Sequence, residues 1–288
     1  MLWDSKFKIT TGLVILTLII CLGLRFSGPL KRGLLVIERV GNQLATVVLT
    51  HSFKSVSDLK TRIDVTIHLH LNDYARLSAS RPGKYSGFSI YVPVNQYGNS
   101  PTTKAVAQNI FNRLAKYNSV SDLSGESTGL VEEPDLIAIG TKNSSNAASL
   151  LIEYGYIYEP QFTNPQLCDV ALKDLAWQTY LGLQDFFEPN STVRLTKADD
   201  TLLLPYDWNR SLKSQDKSVA KDIFVLQTAL MLEGEYPPVG KSKNDCPRTG
   251  FFGPCTKSAL LAFQTKQSIN GENDLVGEKT IAILKQLY

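Results

Sequence analysis

Apolar and polar residues alternate strictly through Ile63–Asn72, with Ile63, Val65, Ile67, Leu69 and Leu71 on one parity and Asp64, Thr66, His68, His70 and Asn72 on the other. Period-two alternation in a run rich in β-branched residues predicts a strand. It also puts His68 and His70 on the same side of a sheet, two strand rises or roughly 6.5 Å apart. Further apolar runs predict strands at Thr46–Thr50, Gly87–Val94, Leu136–Gly140 and Ser149–Gly155. Between and after them the period becomes helical. Ser100-Pro101 is a helix start signal, and Ala107, Ile110, Phe111 and Leu114 then share one face. Asn164-Pro165 repeats the signal ahead of an apolar stripe at Leu172, Leu175, Ala176, Leu183 and Phe186. Strands alternating with helices imply an α/β layer fold over residues 28–188.

The pattern changes after Phe187. Residues 189–217 are mostly polar around a small apolar island, Leu202–Trp208, and are expected to form an interdomain linker that packs in part on a neighbour. Residues 218–288 show a helical stripe at Val219, Ile223, Leu226 and Leu230. A short internal echo follows, with Gly253-Pro254-Cys255-Thr256 and Leu260 matching Gly277-Glu278-Lys279-Thr280 and Leu284. In each copy a glycine turn precedes a threonine able to cap a helix. The expectation is a small all-α unit of three helices. It has no catalytic constellation, which suits a binding module.

At the other end, Ile9–Leu24 contains no charged residue and is flanked by Lys6, Lys8 and Arg25. As a helix it would span about 24 Å. Small residues suited to cleavage are not placed after Leu24, so residues 1–27 are expected to be an uncleaved signal anchor with the rest of the chain outside. Net charge is +3 from 30 basic and 27 acidic residues, and nothing points to nucleic acid. Among four cysteines, Cys246 and Cys255 flank the turn-rich stretch NDCPRTGFFGPCT. That pair either closes a loop as a disulfide, which needs an oxidising compartment, or remains two packed thiols.

Two of only three histidines lie in the alternating strand. Imidazole is the commonest protein metal ligand and is available in neutral form near pH 7. A solvated strand face with two idle histidines is the plain alternative.

Two resemblances sharpen these expectations. The C-terminal unit looks like a peptidoglycan-binding domain of the three-helix type, on Leu226-Gln227, Gly250-Phe251-Phe252-Gly253-Pro254-Cys255-Thr256, Ala259-Leu260, Phe263-Gln264 and Val276-Gly277-Glu278-Lys279-Thr280. This implies a shallow groove for wall peptide or glycan. The run Asp64-Val65-Thr66-Ile67-His68-Leu69-His70-Leu71-Asn72 resembles the D-x-x-x-S-I-H-x-N strand of zinc-dependent N-acetylmuramoyl-L-alanine amidases. His70 takes the position of a zinc ligand and His68 that of the usual serine. Ser86-Gly87 through Val92 is similar to the family's intervening strand. Leu151-Ile152-Glu153-Tyr154-Gly155-Tyr156 is similar to the family's L-x-E-x-G-F, with Glu153 in place of the catalytic glutamate. The resemblance implies a partial amidase-type sheet flanked by helices. It also implies a bound Zn2+ and hydrolysis of the amide between muramic acid and L-alanine. The apolar run around Glu153 should raise its pKa, suiting it to proton transfer.

The family's Gly-His-Gly-Gly strand and the glutamate ligand that follows it have no counterpart here. Glu38 is the sole glutamate between Arg25 and Ala45. Catalytic zinc normally has three protein ligands, so His68, His51 and Glu38 are the candidates to join His70. Two functions follow: a membrane-anchored amidase tethered to peptidoglycan, or a catalytically inactive amidase-like scaffold that binds peptidoglycan.

Overall fold

The computed structural model describes residues 34–40, 43–49, 65–74, 76, 78, 81–94, 100–134, 148–187, 189, 197–214 and 220–288. The expected strand Leu136–Gly140, the apolar run Ile9–Leu24 and His51 lie outside them. Among the described residues no helix is long and apolar enough to cross a membrane.

A hairpin comes first: β1 (Leu34–Val40) pairs antiparallel with β2 (Gln43–Leu49). A four-stranded mixed sheet follows, built from β3 (Val65–Asn72), β4 (Ser89–Pro93), β5 (Leu130–Glu133) and β6 (Ala148–Tyr156) in the order β3-β6-β4-β5. β6 enters between β3 and β4, parallel to the first and antiparallel to the second. β5 was not expected from the sequence, because its four residues include two glutamates and show no clean alternation.

One face of this sheet carries the core. Leu69, Leu71, Ile90, Val92, Leu150, Ile152 and Tyr154 point to it and meet α1 (Ser100–Tyr117) and α3 (Cys168–Phe187). The helical stripes supply the other half: Ala107, Ile110, Leu114, Leu172 and Leu175 are buried. A short α2 (Pro160–Thr163) precedes α3. The Asn164-Pro165 signal opens a turn rather than the helix: Asn164 Oδ1 accepts the Gln166 N–H at 2.9 Å, and α3 begins at Cys168. α1 and α3 approach closely at Gly182, where a Cβ would lie 2.5 Å from the Ile110 Cα.

The C-terminal helices are α4 (Ala220–Leu232), α5 (Pro254–Lys266) and α6 (Glu278–Leu287). Neither threonine of the repeat caps its helix. The N-caps are Gly253 and Gly277, without side-chain bonds. The threonines, three residues further in, are buried and meet a glutamine of the preceding helix. Gln227 Nε2 donates to Thr256 Oγ1 at 2.9 Å and to the Phe251 carbonyl. Gln264 Nε2 donates to Thr280 Oγ1 at 3.0 Å and to the Leu275 carbonyl. The repeat therefore encodes a buried polar joint between successive helices, since buried hydroxyls and amides require partners.

The described part of the expected linker, 197–214, is packed. Leu203, Leu204, Trp208 and Leu212 are buried in the core of the C-terminal helices, and β7 (Leu212–Lys213) pairs with β8 (Leu275–Val276). The apolar island reads as the reason: exposed, it would leave that surface in water. Thr201 Oγ1 donates to Asp174 Oδ1 at 2.8 Å, and Arg113 reaches both Asp185 and Asp200. Cys246 and Cys255 form a disulfide. Inside its loop, Arg248 donates to Asp174 of α3 at 2.6 Å, with both side chains buried, and its guanidinium lies over the Phe224 ring. Ser119 Oγ donates to the Lys243 carbonyl, and Asn244 Nδ2 to that of Val120.

Candidate active site

The face of the sheet turned away from α1 and α3 collects the sequence-predicted chemistry. Because β3 and β6 are parallel and paired in register, His70 stands opposite Glu153, and His68 opposite Leu151. His70 Nδ1 and Glu153 Oε1 are 3.8 Å apart. Leu151 and Tyr91 pack together on this face, beside the carboxyl.

Burial sets the protonation of these groups. Desolvation, with a contribution from the nearby Glu126 carboxylate, raises the Glu153 pKa to about 8. Burial, and then the proximity of His70, lowers that of His68 to about 4. Burial also lowers that of His70. At pH 7 both imidazoles are neutral and the carboxyl is mostly protonated. Their approach is thus a contact between neutral groups, not an ion pair. Among the described residues, Glu153 Oε2 and His68 Nε2 are buried without a hydrogen-bond partner. Such atoms are costly to leave unpaired.

A second carboxylate, which the sequence reading did not single out, organises the site. Glu126 is buried in the loop before β5. Its Oε1 accepts from the Tyr91 hydroxyl of β4 at 2.5 Å and from Asn72 Nδ2 of β3 at 3.3 Å. Its Oε2 accepts from the Tyr156 hydroxyl of β6 at 3.1 Å. One side chain thus ties three strands together beside Glu153.

Tyr156 reaches this face through a β-bulge. His70 pairs with Glu153 and Asn72 with Tyr156, so two residues of β6, Tyr154 and Gly155, oppose the single Leu71 of β3. Simple alternation would have sent Tyr156 to the same side as Tyr154, into the helical core. Gly155, at φ 148°, lies between them. Residues with side chains rarely adopt that conformation, and a Cβ there would meet Glu159 Oε1 at 2.6 Å. Bulges recur next to sites where a side chain must be re-aimed. Glu159 fixes the turn by accepting the backbone N–H groups of Tyr156 and Gly87. The glycine in the L-x-E-x-G-Y run was the sequence signal for this.

The donor chemistry suits a zinc ion in kind: neutral imidazoles, and buried polar atoms lacking partners. In number it does not. Among the described residues, no group of three or more His, Cys, Asp or Glu side chains is arranged to hold a metal. Glu38 lies on β1, opposite Ala45, in the separate hairpin sheet, and its side chain is outside the described structure, as is His51.

The class defined so far is a mixed α/β sheet with two neutral imidazoles and a proton-bearing carboxyl on one face. No protein-family model matches the chain, and no curated protein matches it. Among solved structures, the N-acetylmuramyl-L-alanine amidase Ami1 from Mycobacterium smegmatis is similar over 43% of this chain, with 17% identity and a TM-score of 0.34. The match covers 54% of that protein, about half its length.

Proposed function

We propose that this chain is a cell-wall hydrolase that cleaves the amide between N-acetylmuramic acid and L-alanine, held to peptidoglycan by its C-terminal helices and to the membrane by residues 1–27. The observation that carries the reading is the pairing of His70 with Glu153 across β3 and β6, on one face and 3.8 Å apart. It brings together the two residues whose motifs resemble the amidase strands.

The chemistry assigned to Glu153 follows from its surroundings. A carboxyl with a pKa of about 8 exchanges its proton near neutral pH, where a general acid–base is most effective. In its neutral form it can give a proton to the departing amine of alanine. In its ionised form it can take one from the attacking water, for which the unpartnered Oε2 is an acceptor. The Glu126–Tyr91–Tyr156 cluster holds the strands that carry this group, so its position is fixed before substrate arrives. Zinc, held by His70 with His68 beside it, would supply a Lewis acid for the scissile carbonyl. Residues outside the described structure, His51 and Glu38 among them, would have to complete its ligand set.

The test uses the full chain in detergent: bound zinc is measured, and release of stem peptide from muropeptides is followed. Stoichiometric zinc, with release abolished by Glu153→Gln, supports the hydrolase. Sub-stoichiometric zinc and no release, with wall pull-down retained, would establish the inactive scaffold instead, a reading favoured by the incomplete donor set of the described residues.

A further inference from the structure

One polar group on the histidine face has no part in the chemistry above. In the strand order β3-β6-β4, Glu153 is flanked by His70 on one side and by Ser89 of β4 on the other, each directly opposite it in register. The parity of β4 agrees. Phe88, Ile90 and Val92 belong to the helical core, so Ser89 and Tyr91 are turned to the other face, where Tyr91 meets Leu151. Imidazole, carboxyl and hydroxyl thus stand in one row across three strands.

Ser89 is fully buried, and among the described residues its Oγ has no hydrogen-bond partner. Glu153 Oε2 is in the same condition. The other polar groups nearby are committed: the Tyr91 and Tyr156 hydroxyls and the Asn72 amide all donate to Glu126. His68 Nε2 lacks a partner too, but it stands opposite Leu151, one row away. Side chains directly opposite across an antiparallel pair have Cβ atoms about 4.5–5.5 Å apart, against about 7–8 Å on the diagonal. Ser89 is therefore the unpaired group best placed for the carboxyl, and one staggered turn about χ1 re-aims its Oγ. Each atom left unpaired carries a desolvation cost that a bond between them removes. The backbone keeps the two residues level. Glu159 Oε1 accepts the N–H of Gly87, two residues before Ser89, and that of Tyr156, three residues after Glu153.

We propose that Ser89 is a positioning residue for Glu153, its hydroxyl bonded to Oε2 and holding the carboxyl in line with His70. The role it serves rests on the reading of Glu153 as the group that moves the proton. A hydroxyl both donates and accepts. It accepts from the carboxyl while that is neutral and donates to it once ionised, so the same partner holds Glu153 at each stage of the transfer. A carboxylate oxygen offers two lone-pair sites, so Oε2 bound to Ser89 keeps one for the attacking water.

The experiment compares the full chain in detergent as wild type, Ser89→Ala and Ser89→Thr. The first readout is the infrared carboxyl band of Glu153, isolated by subtracting the spectrum of Glu153→Gln at pH 4.5, where even a glutamate of ordinary pKa is half protonated. The band should move to higher frequency in Ser89→Ala and stay in place in Ser89→Thr, which keeps the hydroxyl. The second readout is release of stem peptide from muropeptides. Ser89→Ala should lower kcat about ten- to a hundredfold with KM unchanged, and Ser89→Thr should restore most of it. An unmoved band in Ser89→Ala, a shift that Ser89→Thr shares with it, or a loss confined to KM would each overturn the assignment. If the wild type releases no peptide, the hydrolase reading fails, and the band still decides whether Ser89 holds Glu153.

Discussion

Replacing Glu153 by glutamine removes one proton-linked equilibrium while preserving shape, and its effect on stability can be worked out from the structure. The Glu153 side chain is 15% exposed and holds its proton up to about pH 8, against an ordinary 4.5. Below pH 4.5 the carboxyl is neutral whether the chain is folded or not, and no penalty arises. Between 4.5 and 8 the unfolded chain loses the proton and the folded chain keeps it, so stability falls as pH rises. Above 8 both are ionised and the loss is complete. At about 1.36 kcal/mol per pH unit, the interval amounts to about 5 kcal/mol. Glutamine has no such dependence. The assay is urea unfolding of the detergent-solubilised, chelator-treated chain, wild type and Glu153→Gln, from pH 4.5 to 9. The difference between the two proteins should grow in favour of the variant across that window and then level off. A constant offset from pH 5 to 9 would refute the claim that burial governs this group.

Three further outcomes follow. Arg248→Ala leaves Asp174 charged and buried without its guanidinium, and should lower stability by about 3–5 kcal/mol in thermal unfolding. The double variant Arg248→Met with Asp174→Leu should recover most of that. Gly182→Ala drives a methyl group into the Ile110 backbone and should destabilise by about 1–3 kcal/mol, measured by the same melts. Cys246 and Cys255 should resist alkylation until reduced. Reduction of a loop of this sequence separation, 9, should remove about 2.5 kcal/mol.

The sequence made some features legible because local pattern alone determines them. Alternation in Ile63–Asn72 put both histidines on one face, as β3 does, and the helical stripes named the buried faces of α1 and α3. Other features depend on pairing, which local pattern does not carry. Glu126 lies in a loop without periodicity, and its importance arises only when β3, β4 and β6 bring Asn72, Tyr91 and Tyr156 to it. Tyr156 has the wrong parity for its final side until the bulge at Gly155 is known. Thr256 and Thr280 have the right type and place for caps, but an interior amide competes for each and wins. The island Leu202–Trp208 did announce burial. What it packs against was set by the distant helices.

The disulfide-closed loop ties the C-terminal helices to the sheet domain. Enzymes that grip a polymer with one part and work on it with another usually rely on a slack connection. Here Arg248 reaches into α3, and Leu167 and Ala171 share a core with the last three helices. The C-terminal helices and the helix that backs the histidine face are thus joined through a shared core, and a polymer bound by the former, as proposed, would meet the latter at a set offset. On a substrate of regular repeat, such an offset would select which bonds come within reach and which are passed over.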